Sequence, residues 1–196
     1  MTFIKLRASV GDTDFLINVT KSGRIDIFEN LFNEVIIPAY IAEREMINHG
    51  SDERYFLKKY KRLNPMSPIV FKDREKEGKL YNKIALTEFR KMLEEIDKGE
   101  AECCGYARAS NTNIILSDNK RDYPEMENAG YILLGHREIL TLNVFYGLMT
   151  RSDCETIYNS INTSLSAPSA FDFNEIYDRA LNRIRTNGWN KHLNIK

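Results

Sequence analysis

Among the 28 acidic residues of this 196-residue chain, Asp12, Glu45, Glu102 and Asp118 stand where side chains from separate segments could converge. Asp12 follows an alternating segment that ends near Val10, and Asp118 comes just after the apolar run Ile114-Ile115-Leu116. Glu45 lies one or two turns into the helix expected after Pro38, and Glu102 lies in the first turn after Gly99. In open α/β sheets the functional site lies beyond the carboxyl ends of the strands, where loops and helix starts meet. Carboxylates gathered within about 4 Å repel by roughly 4 kcal/mol per pair at an effective dielectric near 20, so such a group calls for a divalent cation. Oxygen-only donors favour Mg²⁺ or Mn²⁺.

Each acid also has a purely structural reading. Asp12 suits a turn before a helix, and Asp14 suits the N-cap of Phe15-Leu16-Ile17. Glu45 fits a solvated helix face, while Glu100 and Glu102 both gain from a helix N-terminus. In Asp97-Lys98-Gly99-Glu100, Asp97 caps the helix and Glu100 reaches back, a capping box. Asp118 suits a turn through Asn119.

The composition excludes several alternatives. The chain is 42% hydrophobic and 29% charged, enough to bury one globular core and too polar for a membrane protein. No apolar stretch approaches the roughly 18 residues that span a bilayer, and the first residues lack the pattern of a secretory signal, so a cytoplasmic protein is expected. Basic and acidic residues balance at 28 each, so a nucleic-acid partner would need a local patch. Cys103, Cys104 and Cys154 fit neither a disulfide framework nor a C-x-x-C zinc site, and read as reduced packing residues. His49, His136 and His192 have no second ligand at metal-binding spacing, and no Gly-rich phosphate loop occurs.

The elements that must position these acids alternate between strand and helix. Leu6, Ala8 and Val10 continue a period of two from Ile4, a strand ending at Gly11. Residues 15–17 and 25–28 suggest two short helices around Gly23, and Val35-Ile36-Ile37 a buried strand ahead of a helix begun by Pro38 and running to about residue 48. Residues 68–71 suggest another short strand, residues 80–96 a long amphipathic helix, and residues 114–116 and 131–134 two more buried strands. Helical patterns cover about 139–148, 152–161 and 173–184, with 160–169 as a linker. This alternation predicts an α/β fold with a mostly parallel sheet.

DTDFLI at 12–17, EVIIPAYIAEREM at 34–46, GEAECCGYA at 99–107 and IILSDNKRD at 114–122 together resemble a PIN domain. GHREILTLNVFYGLMT at 135–150 is similar to the glycine-bounded helix of one bacterial branch of that family. Each motif alone is weak, but five in order are fairly specific. The resemblance implies a three-layer α/β/α fold over residues 1–164, with 51–90 an inserted or family-specific helical segment and 165–196 a C-terminal helical extension.

It also implies a metal-dependent nuclease, often an endoribonuclease and often the toxin of a toxin–antitoxin pair. Carried over residue by residue, Asp12, Glu102 and Asp118 fall on the family's acidic positions as ligands for Mg²⁺ or Mn²⁺, with Thr13 and Ser117 in support. For the remaining acid, the family spacing after Pro38 lands on Arg44, which cannot ligate a cation. Placing Ala42 and Met46 on the apolar helix positions selects Glu45 instead, with Glu43 as the alternative. The implied partners are RNA, with DNA not excluded, an antitoxin protein and a second copy of the chain.

Two basic segments are candidates for substrate contact. Lys120 and Arg121 directly follow the acid at 118, whereas Lys58, Lys59, Lys61 and Arg62 read better as the wet face of a stripe formed by Phe56, Tyr60 and Leu63. A second reading of another class is a PIN-like module that binds RNA or protein without catalysis.

Overall fold

Short apolar runs supply the sheet: β1 (Ser9–Gly11), β2 (Val35–Pro38), β3 (Ile69–Lys72), β4 (Ile114–Leu116) and β5 (Ile132–Leu134). Runs this short and buried on both faces suit parallel strands covered by helices on either side. All pairings are parallel and the order is β3-β2-β1-β4-β5. The computed structural model describes residues 5–49, 51–165, 167–193 and 195; Phe3 and Ile4 of the expected first strand lie outside the described residues.

The helices are α1 (Thr13–Ser22), α2 (Asp26–Glu29), α3 (Met46–His49), α4 (Ser51–Leu63), α5 (Lys79–Met92), α6 (Lys98–Ala109), α7 (Tyr123–Asn128), α8 (His136–Phe145), α9 (Arg151–Ser164) and α10 (Phe173–Thr186). Helix α6 packs on β1, β2 and β4, and α5 packs on α6. Helices α1, α8 and α9 pack on one another, and α10 packs against α8 and α9. The result is the α/β/α arrangement expected from the sequence. No helix among the described residues is long and apolar enough to cross a membrane.

The chain runs from β1 to β2 on one side and returns to pair β4 on the other side of β1. The strand order therefore reverses between β1 and β4, and the crevice at such a reversal is where open α/β sheets place their ligands. Here the backbone N–H of Asp12 donates to the carbonyl of Leu116 at 2.9 Å, which brings the end of β1 against the end of β4.

The first strand is shorter than its alternation predicts. Lys5 and Arg7 are exposed and precede the sheet, Leu6 makes an isolated bridge to Phe32, and only residues 9–11 enter the ladder. Gly11 stands where an apolar side chain would be expected, because Leu16 already fills that space: a β-carbon at Gly11 would lie 3.1 Å from a Leu16 methyl. Residues 51–90 contribute α4, the edge strand β3 and most of α5.

Gly105 lets α6 approach α5 closely. A β-carbon there would sit 2.6 Å from the backbone carbonyl oxygen of Ala85. A backbone atom cannot swing away, so Gly105→Ala is expected to destabilise the protein by about 1–3 kcal/mol, lowering Tm by roughly 2–4 °C per kcal/mol. Calorimetry tests this, and an unchanged Tm would mean that the two helices can separate freely.

Candidate functional site

Asp12 caps the start of α1, but its side chain makes no capping hydrogen bond and is directed instead to the sheet crevice. It is 3% exposed and accepts a hydrogen bond from Ser117 Oγ at 3.1 Å. Burial pushes its carboxyl well above the ordinary carboxylate range, and the negative charges of Glu100, Asp14 and Glu45 push the same way. A buried carboxylate surrounded by like charges is costly unless a cation or a proton compensates it.

Glu45 reaches this crevice through a local irregularity. Residues 41–45 form a π-helical turn in which the N–H of Met46 bonds back to the carbonyl of Ile41, five residues earlier. A π turn inserts one residue relative to α-helical spacing and commonly marks a functional position. That extra residue is the physical reason that regular spacing from Pro38 lands on Arg44. The Glu45 carboxylate accepts a hydrogen bond from Thr13 Oγ1 at 2.6 Å and lies over Gly99, where a β-carbon would meet both of its oxygens at 2.6 Å. Glu43, the alternative, faces outward and pairs with Lys58 at 2.5 Å.

Glu102, expected beside Asp12, is placed elsewhere. Its carboxylate is 2.5 Å from the Arg74 guanidinium, itself brought in by the segment after β3. Glu100 takes the position facing Asp12. Residues two apart on an α-helix project about 200° from one another, so Glu100 turns toward Asp12 and Glu102 toward Arg74, still within the field of Glu45. Glu100 forms no capping box, since its carboxylate accepts from the Asn119 side chain instead of turning back to Asp97. Burial raises the Glu100 pKa, and the Asp122 and Glu45 charges add to that effect against the opposing Asn119 bond. Burial also raises Glu102, against the opposing pull of Arg74.

Asp118 lies next to the crevice but turns toward α1 and α8. It accepts from Asn18 Nδ2 at 2.8 Å and from the backbone N–H and Nδ1 of His136, both at 2.9 Å. Burial alone would raise its pKa, yet the His136 charge and these hydrogen bonds outweigh it and hold the carboxyl at about 2. Ser117 bridges the two regions through its hydroxyl, which donates to Asp12 and accepts from the Asn119 N–H at 3.1 Å.

A second acidic group adjoins Glu100. One carboxylate oxygen each from Asp97, Glu100 and Asp122 lie within 4.8 Å of one another. Arg121 donates to both Asp97 and Asp122, so this cluster already holds one internal cation. Arg121, expected as a substrate contact, makes these pairs while its side chain stays 65% exposed. Lys120 beside it makes no such pair among the described residues. On α4, Lys58 pairs with Glu43 and Lys61 donates to the carbonyls of Pro65 and Ser67, in keeping with a structural role for that face.

Sequence reasoning missed Glu100 and Asn119 as residues of the crevice. Glu100 was legible as an acid in the right helix turn, but the capping pattern gave it another use. Asn119 carried no signal, because its part depends on meeting Glu100 across the crevice. Asp12, Glu45 and Glu100 offer hard oxygens from three elements and repel one another, the donor chemistry that suits a divalent cation, while among the described residues the acids whose oxygens all lie within 4.8 Å of one another are Asp97, Glu100 and Asp122.

A family model described as a PIN domain matches residues 8–163. No curated protein and no solved structure matches the chain significantly. The match covers all five strands and the crevice acids, and the chain belongs to the PIN-domain family.

Proposed function

We propose that the protein is a metal-dependent nuclease that hydrolyses phosphodiester bonds in RNA at the crevice between β1 and β4. The observation that carries this reading is the burial of Asp12 among like charges from Glu100 and Glu45, on a fold whose members are commonly nucleases using divalent metals. Asp12, Glu45 and Glu100 would hold the ion, which when bound supplies the Lewis acidity that phosphodiester hydrolysis needs. Thr13 fixes the Glu45 carboxylate and Ser117 fixes that of Asp12, so two acids are oriented before any ion arrives. Asn119 does the same for Glu100. Glu102 is a positioning residue in this reading, holding Arg74.

A role as a toxin in the cytoplasm, with an antitoxin protein and a second copy of the chain as partners, belongs to the same proposal and rests on family likeness. Growth arrest on expression, relieved by Asp12→Asn, would support it.

The experiment is cleavage of end-labelled single-stranded RNA and DNA by the full chain with Mg²⁺, with Mn²⁺ or with EDTA. Cutting of RNA that needs the metal supports the proposal. Cutting of DNA alone reassigns the substrate, and RNA retention without cutting favours the non-catalytic binding module.

Gly99→Ala provides a second test that does not rely on turnover. The added methyl displaces the Glu45 carboxylate from Thr13, while a helix gains from replacing Gly by Ala, by roughly 1 kcal/mol. The expected result is a folded protein whose Mg²⁺ affinity by calorimetry is about 10-fold weaker or worse. An unchanged affinity would remove Glu45 from the ligand set.

A further inference from the structure

Beyond Asp118, on the side away from Asp12, a cavity of about 450 Å³ opens between α1, the segment after β4 and the start of α8. Its walls include three cations, Lys21, Lys120 and Arg137. Among the described residues none of the three has an ion pair or a side-chain hydrogen bond, and Arg137 Nε is buried without a partner. Burial and the neighbouring Arg137 and Arg183 charges disfavour the Lys120 ammonium, against the pull of Glu138 and Asp118.

The acids in the same walls attract Lys120 at longer range but form no ion pair with the three cations among the described residues. Asp118 accepts from Asn18 and twice from His136, and Glu138 accepts from Arg183 and from the Gly135 N–H. Asp14 is engaged in an interaction of its own. A buried guanidinium nitrogen with no acceptor is a cost that a native structure retains when an acceptor arrives with a ligand. Three cations without an ion-pair partner among the described residues around one concavity suit an anion, and a guanidinium beside an ammonium is usual chemistry for phosphate.

We infer that this cavity holds a backbone phosphate of the nucleic-acid strand, next to the one lying at the acidic crevice. The inference rests on the nuclease reading of that crevice and names a further subsite for its substrate. Continuity supports a strand over a free small anion. Lys120 is carried on the same short segment, residues 117–120, that holds Asp12 through Ser117 and Glu100 through Asn119. A polymer crossing the crevice therefore meets the cavity directly. Non-bridging oxygens of one phosphate would accept from Arg137 and Lys120, with Lys21 closing the outer wall.

The test is binding, in EDTA, of a fluorescein-labelled single-stranded RNA of about ten nucleotides, followed by anisotropy over a range of KCl concentrations. The wild-type chain is compared with Lys120→Gln/Arg137→Gln and with Lys83→Gln/Arg90→Gln, which removes the same charge from the exposed face of α5. The expected result is affinity about 10-fold weaker for the cavity variant, with a salt slope smaller by about 0.7 for the loss of one phosphate contact, and little change for the α5 variant. Lys21→Gln alone serves should the double variant fail to fold.

Equal affinity and slope for the cavity variant would overturn the inference, as would a wild-type chain that binds no strand. A cavity that binds inorganic phosphate or a mononucleotide, but no strand, overturns it too. The cleavage assay separates the two readings: wild-type cutting with unchanged KM in the cavity variant removes the subsite alone. Cavity-dependent binding without cutting removes the nuclease alone.

Discussion

Asp12→Asn is expected to abolish metal-dependent cleavage and, in the same protein, to raise the Tm measured in EDTA. Loss of residues that merely orient a metal ligand costs 10- to 100-fold, so removing a ligand itself should cost more than about 100-fold in rate. The stability gain has a separate cause. Burial and the charges of Glu100 and Glu45 work against an ionised Asp12, and an amide removes both penalties while its oxygen still accepts from Ser117. Each kcal/mol relieved is worth roughly 2–4 °C in a chain of this size.

The pH dependence follows from the direction of the shift. The Asp12 pKa is raised in the folded state, so between the ordinary carboxylate value and the raised one the unfolded chain binds fewer protons. Stability from this group is therefore fully present below the ordinary carboxylate value and declines as pH rises through that window. The variant should lack this decline. Saturating Mg²⁺ should reverse it in the wild type, by about 2.7 kcal/mol at 100 times Kd, and leave the variant's Tm nearly unchanged. Scanning calorimetry across pH with and without Mg²⁺ reads all of this, and a lower Tm for the variant in EDTA would show that Asp12 is stabilised by something other than an ion.

Arg183→Met should be the most destabilising single change outside the central sheet, at about 3–5 kcal/mol or on the order of 10 °C in Tm. Arg183 belongs to α10, whose stripe of Phe173, Ile176, Ala180 and Ile184 is buried as its spacing predicts. The arginine itself turns inward beside that stripe. It donates to Glu127 at 2.7 Å, to Glu138 at 3.0 Å and to the carbonyl of Leu133 at 3.0 Å, with the rings of Tyr123 and Trp189 on its faces.

Methionine keeps apolar contact with those rings but leaves Glu138, a side chain only 11% exposed, without its charge partner. Glu138 also accepts the N–H of Gly135 at the start of α8, so α10 braces the junction that carries Asp118's partner His136. Adding Glu138→Gln should return part of the loss, because the uncompensated charge is then gone. A single-variant cost below about 1 kcal/mol would make the pair no more than a surface contact.

The sequence by itself determined the fold class, the alternation of elements and the family, because apolar runs and helix stripes encode burial locally and the motifs preserve their order. It also located three of the acids by segment: Asp12 and Asp118 after their strands, and Glu45 on the helix after Pro38. Tertiary structure alone decided which carboxylates share one space. The choice of Glu100 over Glu102 depends on helix phase against β1, and the choice of Glu45 over its neighbours depends on a π turn that no regular spacing contains. Arg121, Lys120 and Arg183 are similar bases in the sequence. Their separation into a surface ion pair, a cavity wall and a half-buried brace comes from the distant groups that each one meets when the chain folds.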